Sequence, residues 1–210
     1  MTLPGPAFAR RSLLLAGLGA ALSTAPPASA RPPRALQFPR DHGAHPDFRT
    51  EWWYITGQAT AGGREFGFQV TFFRSRVDAT QGLQSRFAAR QLVFAHAAIT
   101  DVQGKRLWHD QRIAREGFDV ASTATTDARL KLRDWTLGRD RDAWRTRIPA
   151  QEFDLNLAFA PTQPVLLQGR DGLSRKGPEA KQASYYYSLP QLATRGTLTL
   201  RGQRFEVQGQ

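Results

Sequence analysis

The 210-residue chain contains no cysteine. Disulfides and thiolate metal sites are thereby excluded, and entry into an oxidising compartment imposes no pairing constraint. Helical periodicity is missing too: no segment repeats apolar residues at i, i+3, i+4 and i+7 for long, which argues against a helical bundle. There is no short-period internal repeat and no low-complexity tract beyond the first thirty residues. The familiar catalytic signatures are also lacking. No G-x-S-x-G elbow, no H-E-x-x-H zinc helix and no phosphate-binding loop occurs.

Acidic residues are absent from the first thirty positions, where Arg10 and Arg11 are followed by the apolar run Leu13 to Leu22 and by Ala28-Ser29-Ala30. That order of charge, apolar run and small residues predicts a cleavable signal peptide over residues 1–30. The run is shorter than the ~20 apolar residues needed to span a bilayer. The paired arginines before Ser12-Leu13-Leu14 favour the twin-arginine route over an ordinary secretory signal. With no cysteine at the cleavage point, a lipoprotein anchor is ruled out. The expectation is therefore an exported, periplasmic or secreted protein with no integral membrane segment after cleavage.

The 29 Lys and Arg against 18 Asp and Glu give a formal charge of +11. Such a balance suits nucleic-acid binding. Yet the arginines are interspersed with carboxylates, as in Arg139-Asp140-Arg141-Asp142, and form no stripe. No nucleic-acid partner is expected, while a weak attraction to anionic lipid stays open.

What the chain does show is period-two alternation. Residues 31–48 are rich in Pro, Gly and His and predict an extended arm leading to a domain over 49–210. Strands are predicted at Glu51 to Ala59, Glu65 to Phe73, Gln91 to Asp101, Arg106 to Arg115, Leu130 to Leu137, Phe153 to Phe159, Tyr185 to Leu189, Gly196 to Leu200 and Arg204 to Val207. The last two read as a hairpin over Gly202-Gln203. Many short strands with glycine turns predict an all-β fold, a barrel or a sandwich. Small alanines mixed with Phe and Trp suit a curved sheet around a cavity.

Several residues could carry chemistry. Glu51 and Trp53 share one strand face, and Trp52 and Tyr54 the other. A carboxylate beside an indole in an apolar cavity would have a raised pKa and act as an acid. Equally, Glu51 could pair with an arginine such as Arg49 or Arg74. His96, mid-strand beside Phe94, could move a proton, although a hydrogen-bonded core histidine is the plainer reading. His42 and His45 could share a metal, but two solvated loop histidines are the favoured reading, and no metal site is expected. Tyr185, Tyr186 and Tyr187 could line a pocket or form a structural aromatic strand.

Phe38-Pro39-Arg40-Asp41-His42-Gly43-Ala44-His45-Pro46, followed by Glu51-Trp52-Trp53-Tyr54-Ile55-Thr56-Gly57, resembles the opening of the AttH-like, carotenoid 1,2-hydratase (CrtC-like) proteins. The resemblance continues through Phe94-Ala95-His96-Ala97-Ala98-Ile99-Thr100-Asp101, Gly172-Leu173-Ser174-Arg175-Lys176-Gly177 and Ala183-Ser184-Tyr185-Tyr186-Tyr187-Ser188. It implies two lipocalin-like antiparallel β-barrels side by side, of which this chain would be the N-terminal one, and an action on an isoprenoid or lipid-like substrate by hydration of a C=C bond or by hydrolysis. In the family the last strand runs on into an Asp-His-Glu-Trp motif, to which the hydratase acid is assigned. The chain stops at Gln210, before it, so this piece alone is expected to be inactive. The local candidates are Glu51 and His96 for chemistry, with Trp52, Trp53, Tyr54, Phe94, Tyr185, Tyr186 and Tyr187 as ligand contacts. No cofactor is implied. The rival expectations are a periplasmic carrier of hydrophobic molecules without catalysis and a structural envelope partner.

Overall fold

The computed structural model describes residues 34–179 and 182–210. The expected signal peptide lies outside the described residues. Eleven strands form one antiparallel sheet. They are β1 (Thr50–Ala61), β2 (Arg64–Arg76), β3 (Gln91–Asp101), β4 (Arg106–Arg115), β5 (Ala121–Thr123), β6 (Arg129–Leu132), β7 (Trp135–Asp140), β8 (Ala143–Pro149), β9 (Phe153–Pro161), and the last two, β14 (Leu192–Leu200) and β15 (Gln203–Gly209). Their spatial order is β4-β3-β2-β1-β15-β14-β9-β8-β7-β6-β5. The sheet curls until β6 meets β3 and β4, giving a nearly closed lipocalin-like barrel. Between β9 and β14 the chain makes an excursion of two short ladders. Here β10 (Leu166–Leu167) pairs with β13 (Tyr187–Ser188), and β11 (Leu173–Arg175) with β12 (Ala183–Tyr185).

The alternation in the sequence explains the core. Phe66, Phe68, Val70 and Phe72 of β2 point inward, and so do Val93, Ala95, Ala97 and Ile99 of β3. They meet Leu132, Trp135, Ile148, Leu155, Phe159 and Leu198 from the far wall, all buried. The expected cavity inside the curved sheet is therefore occupied by packed side chains. The small alanines of β3 make room for the large rings opposite.

Three local forecasts need correction. Tyr185 to Leu189 is not one strand: Tyr185 ends β12, Tyr187 and Ser188 form β13, and Tyr186 between them belongs to neither. Leu130 to Leu137 is a hairpin, not one strand, turning at Arg133 (φ +58). The apolar positions change parity there, from Leu130 and Leu132 to Trp135 and Leu137, which no single strand can do without moving one set to the other face. The final hairpin turns at Arg201 and Gly202, both with positive φ (+49 and +83), one residue earlier than forecast. That is the primed turn whose twist matches its strands.

A candidate active-site cleft

The site arises where β1 lacks a neighbour. Its register with β15 involves only Ala59 and Thr60, with Gln58 and Gln210 exchanging backbone hydrogen bonds of 2.7 and 2.9 Å. Toward Thr50 the edge of β1 is open among the described residues. Side chains from both of its faces therefore border one space. The excursion arches over that edge and encloses a cleft of about 1130 Å³. Trp52, Trp53 and Tyr54 form one wall, and Tyr185, Tyr186 and Tyr187 the other.

The arm completes the cleft. It is not extended throughout: Arg40–His42 forms a 3-10 turn, and Ala44 N–H donates to the Ala124 carbonyl at 2.8 Å. Gly43 permits this docking, since a Cβ there would lie 2.9 Å from the Thr125 carbonyl carbon. Behind it sits Arg74 of β2, fully buried. Its guanidinium donates to Glu51 Oε2 (2.7 Å), Gln91 Oε1 (2.5 Å), and the carbonyls of Phe48 (2.6 Å) and His45 (3.1 Å). Glu51 also accepts the His45 backbone N–H at 2.8 Å. Of the two roles open to Glu51, the geometry shows the arginine pair: a saturated carboxylate that pins the arm to β1.

His45 is the group this clamp presents. Its Nδ1 lies 2.6 Å from Glu51 Oε1, and its Nε2 lies 2.8 Å from Asp41 Oδ1. The guanidiniums of Arg34 and Arg40 each approach the same Nε2 at 3.1 Å. Nε2 thus has an acceptor for its proton when the ring is charged and donors for its lone pair when it is neutral. The charged ring has both protons accepted, by Glu51 and Asp41, and a lone pair bared at Nε2 meets the Arg34 and Arg40 donors, which offset the adjacent Asp41 carboxylate, so Nε2 can give up and regain a proton. Asp41 is buried, and burial alone would raise its pKa. Hydrogen bonds from Arg34, the Gln37 N–H and His45 overcome this and hold the carboxyl well below the usual range.

His42 behaves differently, because the turn sends it to the opposite side. It is buried, with Nδ1 2.7 Å from the Tyr187 hydroxyl, and Trp53 Nε1 donates to its carbonyl at 2.8 Å. Burial, helped by the Arg139 charge, pushes its pKa down to about 4. Burial likewise raises that of Tyr187. The two histidines are therefore neither solvated nor a joined pair. Among the described residues no group of three or more His, Cys, Asp or Glu side chains is arranged to hold a metal ion.

The three tyrosines alternate. Tyr185 faces Arg34 (4.9 Å, cation over ring) and Phe48, Tyr187 faces His42, and Tyr186 turns to Trp52 and Tyr54. A hydrogen bond with Tyr186 raises the pKa of Tyr54. Among the described residues, neither the buried indole N–H of Trp144 nor the Ser184 hydroxyl, both in the lining, has a hydrogen-bond partner. An ordered water or a ligand oxygen would satisfy each.

His96 and Phe94 do not border this cleft. They lie on the outer face of β3, where Phe73 stacks on both at 4.5 Å (Phe94) and 5.5 Å (His96). His96 shares a face with Tyr54 through Thr71, but two strand spacings, roughly 10 Å, separate them. Sequence reasoning passed over Asp41, Arg34 and the role of His45. The density of titratable groups between Arg40 and Glu51 was the available signal.

The sequence model of the AttH-like family matches residues 29–210. A crystal structure of a protein of Nitrosomonas europaea assigned as an AttH is 46% identical, with a TM-score of 0.77 over 87% of this chain and 55% of its own. Kievitone hydratase of Nectria haematococca shares the fold at 11% identity, with a TM-score of 0.63 over 82% of this chain and 48% of its own. No curated protein matches the chain in sequence. The chain thus spans about half the length of each of these two solved structures. It belongs to the AttH-like family.

Proposed function

We propose that this domain contributes to a hydratase-type reaction on a lipophilic substrate bound in the cleft, with His45 as the proton-transfer group. The observation that carries the reading is His45 held between Asp41 and Glu51 at the wall of an aromatic cleft. Six aromatic side chains offer flat apolar surface to an isoprenoid or lipid-like body. That the barrel interior is filled by packed side chains supports assigning such a molecule to the cleft. In the hydration step, imidazolium Nε2–H protonates one carbon of a C=C bond. Water attacks the resulting cation at the other carbon and returns its proton to the ring, so the balance is substrate plus one water. The fold shared with a hydratase is in keeping with this reading. We further propose export as the setting in which such a substrate is met, on the strength of the Arg10–Ala30 pattern.

The test is incubation of the whole protein, isolated as its native host makes it, with a lipid extract of the host envelope in oxygen-18 water. Hydration yields a product heavier by one labelled water. Two smaller products, one of them carrying the label, mean hydrolysis instead. Bound but unaltered lipid means a carrier, and the proton-transfer role of His45 then falls.

A further inference from the structure

The loops at the cleft end of the barrel carry a cluster that neither the core nor the cleft uses. Phe87 and Phe118 stack on each other at 5.4 Å, yet are 65% and 46% exposed, with Leu83 at 50% in the same region. Exposed stacked phenylalanines are costly in water. The backbone cost is also unusual. Gly117, Phe118 and Asp119 have consecutive positive φ values of +110, +56 and +57, and a bulky residue in the left-handed region is a strained one. The strain holds an aromatic ring outward.

Cations surround these rings. The Arg115 guanidinium lies 4.3 Å from the Phe118 ring centre and 5.6 Å from that of Phe87, and Arg86 lies 5.3 Å from Phe118. Arg90 reaches the Leu83 carbonyl at 2.6 Å. Among the described residues no carboxylate pairs with Arg86, Arg90 or Arg115. The nearby acids are engaged elsewhere: Asp78 with Arg76, Asp119 with Lys131, and Glu116 with Thr123. The base of the loop is fastened to the wall of the cleft. Val77 N–H bonds the Arg90 carbonyl, Arg76 N–H the Arg49 carbonyl, and Gln91 Nε2 the Pro46 carbonyl.

From apolar tips ringed by unpaired arginines at one end of a basic protein, we infer that this end docks on an anionic lipid surface. Phenylalanine and leucine tips enter the headgroup–acyl boundary, and the arginines lie at the phosphates. The cleft end of the barrel then faces the bilayer. This inference stands independently of any chemistry in the cleft.

The experiment is co-sedimentation of the purified protein, its N terminus fixed by intact mass, with vesicles of phosphatidylcholine alone or of equimolar phosphatidylcholine and phosphatidylglycerol. Binding to the anionic vesicles is expected to exceed that to the neutral ones at least ~10-fold, and Arg86→Ser or Arg115→Ser to lower it ~5-fold each. The Phe87→Ser/Phe118→Ser variant should lower it by ~10-fold or more. Leu83→Ser provides an independent loss should the double variant melt earlier than the parent. Leu107→Ser, half exposed at the opposite end of the barrel, should leave binding unchanged. Equal binding to both vesicle types overturns the inference. So does anionic binding that survives the loss of the phenylalanines, which would be diffuse attraction of the whole charge, or a loss with Leu107→Ser as large as with the loop variants.

Discussion

Replacing Arg74 by methionine keeps the length of the side chain and removes its charge. The guanidinium is fully buried and donates to Glu51, Gln91 and the carbonyls of Phe48 and His45. Removing one partner of a buried ion pair costs about 3–5 kcal/mol when the other is left unmatched, and because Glu51 keeps His45 as a partner the low end, about 3 kcal/mol, applies. Arm carbonyls that lose their donor add to that. For a domain of this size the loss corresponds to roughly 10 °C in Tm. Because the arm is anchored through this side chain, hydrogen exchange should rise first at His45 and Phe48 and only later in β2. Pairing Arg74→Met with Glu51→Gln leaves no unmatched carboxylate at that spot and should recover about 1–2 kcal/mol. Urea melts of the two single variants and the double variant supply the cycle. A loss below about 1 kcal/mol for Arg74→Met, or strict additivity in the double variant, would show that Arg74 does not hold the arm through Glu51.

His42 makes the fold acid-sensitive. Its folded pKa of about 4 lies below the ordinary 6.5, so the unfolded chain takes up more protons in that window and stability falls as pH drops from about 6.5 to 4. Because His42 is buried, the displacement is worth about 3 kcal/mol above pH 6.5. Urea midpoints for His42→Phe should show a flatter pH dependence there than the parent. Tyr187→Phe leaves His42 Nδ1 without its partner and should lower unfolding free energy by about 1–2 kcal/mol. Gly196 has φ +145, and a Cβ there would lie 2.2 Å from the Asn156 carbonyl oxygen. Gly196→Ala should therefore cost about 2–3 kcal/mol, whereas Gly82→Ala, with open space around it, should leave Tm unchanged.

The barrel was legible because its inward residues alternate. Phe66 to Phe72 and Val93 to Ile99 declare both strand and face, and the β3 and β4 boundaries fall where the forecast put them. The β7–β8 hairpin was not legible. Its turn at Arg141-Asp142 lacks glycine and borrows the left-handed region with an arginine at φ +58. At the site, the Glu-Trp-Trp-Tyr block and the three tyrosines stood out by their rings, and the cleft gathers them. His96 stood out equally, yet it belongs to the outer face. Strand parity orders side chains within one element but does not say which sheet edge stays open. The Asp41–His45–Glu51 contact depends on the arm folding back over β1. That return is set by Arg74, a residue distant in sequence from everything it holds. The Glu51–Arg74 pair was among the readings of the sequence, but not that the same guanidinium also takes the arm's carbonyls.

The most direct test of the account compares ligand retention with turnover in His45→Gln. The glutamine keeps hydrogen-bonding capacity beside Glu51 and Asp41 but cannot carry a proton. This variant, offered the host lipid extract in oxygen-18 water, is expected to retain bound lipid at the parent level and to lose incorporation of label by ~100-fold or more. Label incorporation at the parent rate, or loss of bound lipid together with activity, would contradict the assignment of proton transfer to His45.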